Sequence, residues 1–75
     1  MELIVGRKYR NTTTLYWSGH QIQAGTVLTF VDGIPDKNIL KQDVVLSRFS
    51  FGDGHFVMLE DHAVDGALVK DYASW

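Results

Sequence analysis

The chain has 75 residues, 45% of them hydrophobic and 12% aromatic, with a formal net charge of −2 and no cysteine. That length fits one domain, the lack of cysteine excludes disulfides and thiolate metal cages, and the acidic balance argues against a general binder of phosphate backbones. A core this small rarely yields more than about 3–5 kcal/mol, so good packing or an oligomer interface must supply the stability.

The opening, Met1-Glu2-Leu3-Ile4-Val5-Gly6, has an early acid and no basic leader region. Its apolar run is too short for a signal peptide or a membrane span. This predicts a complete, short, cytoplasmic product with no membrane partner.

Seven glycines and one proline punctuate short apolar runs, a spacing that predicts strands and turns. Leu3 to Tyr9 reads as a first strand, with Leu3, Val5 and Tyr9 on one face and Ile4 on the other. Asn11 to Thr14 is polar, Leu15-Tyr16-Trp17 is a short second piece, and Ser18-Gly19-His20 is a turn. Gly25 to Val31 is rich in β-branched residues and is the clearest strand, closed by the turn signal Asp32-Gly33. Pro35 and Asp36 open either a helical turn through Asn38-Ile39-Leu40 or a loop. Val44 to Phe49 is a strand, and Gly52-Asp53-Gly54 a turn. His55 to Glu60 follows as a strand that sets His55, Val57 and Leu59 against Phe56, Met58 and Glu60. Asp65-Gly66 marks a further turn, Ala67-Leu68-Val69 a closing strand, and Lys70 to Trp75 a helical turn or a tail. No 3.6-period stripe of ten residues is present. The expected fold is a single all-β domain over residues 1–75, a small barrel of five or six short strands with at most one short helical turn.

Three segments resemble SH3-like small barrels. Gly25 to Val31 resembles their glycine-led second strand and His55 to Glu60 their third. Gly66 to Tyr72 resembles their closing glycine, short strand, helical turn and tyrosine. Peptide-binding members carry an N-terminal tyrosine-rich motif that is missing here. Val69 stands where they have a proline, and His55 or Phe56 where they have a tryptophan. The resemblance therefore implies the barrel without its proline-rich ligand. The opening, with Gly6-Arg7-Lys8-Tyr9-Arg10, is also similar to a group of very short phage-encoded proteins, which implies a phage or prophage origin and no particular activity.

Residues with chemistry are few. Asp53, His55, Glu60, Asp61, His62 and Asp65 mix imidazoles and carboxylates, donors that suit zinc or manganese. Turns favour Asp for backbone reasons alone, so the expectation is no metal and no other cofactor. No cysteine, Gly-x-Ser-x-Gly turn or phosphate loop is present. A barrel of this size has little wall for a dry pocket of ~300 Å³, so no enzyme is expected. Arg7, Lys8 and Arg10, with Tyr9, Tyr16 and Trp17 nearby as stacking rings, could hold a single-stranded nucleic acid, which is the alternative reading. The favoured one is a protein-interaction module. Trp17, Phe51, His55, Tyr72 and Trp75 are more aromatic surface than so small a core needs, and they form the expected partner site, with self-association open as well.

Overall fold

The first strand shows how turn chemistry sets the element boundaries. A turn from Ile4 to Arg7, closed by the Arg7 N–H donating to the Ile4 carbonyl at 3.1 Å, places Gly6 at φ 83°. Glycine tolerates that left-handed conformation at no steric cost. The strand therefore starts at Lys8 and not at Leu3, and Val5 is exposed instead of sharing the inner face with Tyr9. In the computed structural model, residues 2–52 and 54–71 are described. They form β1 (Lys8–Asn11), β2 (Leu15–Trp17), β3 (His20–Ile22), β4 (Val27–Lys37), β5 (Asp43–Phe51), β6 (His55–Leu59), α1 (Asp61–Ala67) and β7 (Leu68–Lys70).

The protein is a small all-β domain. Its main sheet has five antiparallel strands in the order β6-β5-β4-β1-β7, and β2 and β3 form a separate pair. That pair includes a strand the sequence pattern misses. Ser18 and Gly19, at φ 48° and 79°, make the two-residue hairpin turn, so His20 belongs to β3 opposite Trp17.

Asp32-Gly33 does not end β4. The Asp32 carboxylate accepts two hydrogen bonds from the Arg48 guanidinium on β5, at 2.9 and 2.7 Å, and the local irregularity is taken up by a bulge between Phe30 and Asp32. Gly33 lies against Val45, whose Cγ1 would be 3.0 Å from any added Cβ. Pro35 and Asp36 are strand residues opposite Val45 and Val44, not a helical turn. A proline is tolerated there because that part of β4 has no strand on its other side among the described residues.

The core gathers Tyr9, Ile22, Leu28, Phe49, Val57, Leu59, Val64 and Leu68. The inner faces of β5 and β6 follow the expected alternation, with Val57 and Leu59 buried. Helix α1 replaces the turn expected at Asp65-Gly66 and, at seven residues, is about two turns long. Val64, Ala67 and the following Leu68 place three buried groups on one side, and this burial outweighs the local turn signal. Gly66 sits in the helix with nothing within 4 Å of an added Cβ. Gly66→Ala is therefore expected to raise stability by about 0.5–1 kcal/mol, read as a higher midpoint in urea denaturation at unchanged slope.

Candidate interaction surface

Strands β4 and β5 outrun their neighbours. β1 pairs with β4 only at residues 27–29, and β6 pairs with β5 only at 47–51. The paired segments 34–37 and 43–46 continue beyond the sheet as a two-stranded arm. An eleven-residue strand spans about 36 Å, which accounts for the 38 Å long axis of a molecule only 26 × 23 Å across.

The arm ends in a braced turn. The Asn38 Oδ1 accepts from the N–H groups of Leu40 and Gln42 at 2.9 and 3.0 Å, and its Nδ2 donates to Gln42 Oε1 at 3.0 Å. Backbone bonds from Asn38 N to Gln42 O and from Lys41 N to Asn38 O close the loop, with Lys41 at φ 59°. This frame holds Ile39 at 99% exposure and Leu40 at 73%. Folding leaves both aliphatic side chains in water at a position the backbone holds firmly.

Between the arm and the start of α1 lies an open cleft of about 540 Å³. One wall is Pro35, Asp36, Asp43, Val44 and Val45, and the other is residues 60–62. The cleft lining mixes apolar residues with carboxylates and one imidazole. Two of its carboxylates are already engaged: Asp43 accepts from Lys37 Nζ at 2.6 Å, and Glu60 lies 3.3 Å from His62 Nδ1. The Arg48 guanidinium that binds Asp32 also lies 5.2 Å from the centre of the Phe56 ring.

The residues expected to bind a partner are partly brought together. Phe51 and His55 stack at 5.7 Å between ring centres, and His55 lies 5.1 Å from His20, the cross-strand neighbour of Trp17. His20 was not anticipated, since it was read as a turn residue. Trp17 and Phe51 are half-buried and pack against the core, so much of their surface serves folding. Tyr72 and Trp75 lie outside the described residues, as does Asp53.

The mixed imidazole–carboxylate set is split. His55 opens β6 and Glu60 follows its end, about 17 Å further along the strand. Among the described residues no three histidines or carboxylates are placed to hold a metal ion.

Of the aromatic residues expected to stack beside the basic set, Tyr16 is exposed and Trp17 half-buried, and Tyr9 is not available. Tyr9 is fully buried, edge-on to Phe49 at 6.1 Å, and its hydroxyl accepts from the Ile4 N–H at 2.9 Å. The Arg10 guanidinium donates to the Gly25 carbonyl at 2.8 Å and lies 3.6 Å from the Asp71 carboxylate. Arg7 and Lys8 are exposed. No helix among the described residues is long and apolar enough to cross a membrane.

Comparison with known proteins finds no family model, no curated protein and no solved structure that matches the chain.

Proposed function

We propose that the protein is a non-enzymatic protein-interaction module built on an SH3-like barrel, and that the β4–β5 arm is its docking element. The strand order supports the barrel: β1 lies between β4 and β7, and a short helix leads into the last strand. The similarity of the opening to short phage-encoded proteins supports an accessory role in a phage or prophage, with a protein as the partner.

The observation that carries the docking role is the exposure of Ile39 and Leu40 on a turn braced by Asn38. Exposed aliphatic residues scattered over a surface mean little, but an adjacent pair at the tip of a projecting, hydrogen-bonded arm is a pre-organised contact. The turn loses little conformational freedom on binding, so most of the burial of both side chains goes into affinity. The aromatic face at Phe51 lies about 26 Å along β5 from the tip and is a separate surface.

Affinity capture from host extract with an Ile39→Ser/Leu40→Ser double variant tests this. We expect recovery of the partner to drop at least tenfold while the circular dichroism spectrum and the unfolding midpoint stay at wild-type values, because neither side chain is part of the core. Undiminished recovery would move the docking surface elsewhere.

A further inference from the structure

The cleft and the tip are complementary, and they sit on the same arm. The tip presents Ile39 and Leu40 beside Lys41, whose left-handed backbone belongs to the turn. The cleft is lined by Pro35, Val44 and Val45 together with Asp36, Asp43, Glu60, Asp61 and His62. A tip of two aliphatic side chains and a cation thus complements a lining of apolar residues and carboxylates. The tip cannot reach the cleft of its own chain, because only Lys37 and Asn38 separate Asp36 in the cleft wall from Ile39, and the turn is pinned by the Asn38 hydrogen bonds.

Resting on the arm as docking element, we infer that the occupant of the cleft is the arm tip of a second copy of this chain. Two arms lie antiparallel, each tip in the other's cleft, about a two-fold axis. The short distance from tip to cleft, roughly 10 Å along the arm, lets one axis satisfy both contacts at once, so the assembly closes as a dimer and does not grow into a filament. Each contact is confined to one tip in one cleft, which is small for a specific interface. The expected dimer is therefore weak, with a dissociation constant in the micromolar range. Lys41 of each copy faces the exposed Asp61 of the other.

Sedimentation velocity on the full chain, from about 1 µM to about 500 µM, tests this. The wild type is expected to pass from monomer to dimer within that range. Ile39→Ser/Leu40→Ser should stay monomeric throughout. Lys41→Glu and Asp61→Lys should each weaken the dimer about tenfold, and the two combined should restore it toward the wild-type constant. Thermal unfolding of each variant checks that the domain is intact. A wild type that remains monomeric at the highest concentration overturns the inference, yet leaves the arm as a docking element for another protein if the tip variant still loses its partner in the capture experiment. A dimer indifferent to the tip variants, or charge reversals that do not compensate, overturns the arm-in-cleft contact.

Discussion

Tyr9→Ala is expected to leave the chain unfolded at ambient temperature. Tyr9 is the largest side chain fully removed from water, and it joins β1 to β4 and β5 through Leu28 and the edge-on Phe49 ring. Truncating a buried aromatic residue costs roughly 3–5 kcal/mol, and a core of this size holds about as much in total. Tyr9→Phe keeps the ring and removes the hydroxyl that accepts from the Ile4 N–H, so it should cost about 1 kcal/mol and leave a cooperative transition at lower urea. Far-UV circular dichroism and urea titration separate the two variants. The pair also bears on nucleic-acid binding. A ring that stacked on bases would be dispensable for folding, so an alanine variant with a wild-type transition would return Tyr9 to the surface and revive that reading.

Period-two alternation made the central strands legible. His55 to Glu60 and Gly25 to Val31 carry patterns that a two-sided strand explains, and β6 and the start of β4 fall where those patterns lie. Local turn signals were less reliable wherever a distant partner competed. Asp32-Gly33 would close a hairpin by itself, but Arg48, sixteen positions away, binds the aspartate and holds the strand extended. Asp65-Gly66 reads as a turn until Val64 and Ala67 are seen to bury together. The arm was hidden by the same error. With β4 cut short at Asp32, Ile39 and Leu40 fell into a stretch read as helical turn or loop, and their exposure had no meaning. The signal that could have found them is the order Asn38-Ile39-Leu40-Lys41-Gln42, two aliphatic residues inside an otherwise polar turn headed by an asparagine able to cap it. The contact between Phe51 and His55 is legible in the sequence, because the two flank a short turn and pair across the hairpin. His20 reaches them only through the β2–β3 pairing, which is a long-range consequence of the fold.

Asn11→Ala is expected to cost about 3 kcal/mol, although the residue heads a polar run that reads as an ordinary loop. Asn11 is 2% exposed at the end of β1. Its Nδ2 donates to the carbonyls of Thr13 and Ile22 at 3.0 and 3.1 Å, and its Oδ1 accepts from the Thr26 N–H at 2.9 Å. One amide thus ties the exit of β1, the exit of the β2–β3 hairpin and the entry to β4. Each of these three bonds nets roughly 0.5–1.5 kcal/mol, and alanine removes all of them, leaving the Thr26 N–H only its longer bond to the Gln23 carbonyl at 3.2 Å. Asn11→Asp distinguishes the two halves of the amide. It keeps the acceptor for Thr26 but sets an oxygen against two carbonyl oxygens, so at neutral pH it should destabilise more than alanine does. Urea denaturation of both variants checks the order. The hairpin should loosen before the main sheet does, since Asn11 is its polar anchor while Ile22, Leu15 and Trp17 hold it only by packing. Amide exchange should therefore quicken first across residues 15–22. An alanine variant with wild-type stability and slow exchange in that segment would mean that the packing alone positions the hairpin, and with it the imidazole of His20 beside His55.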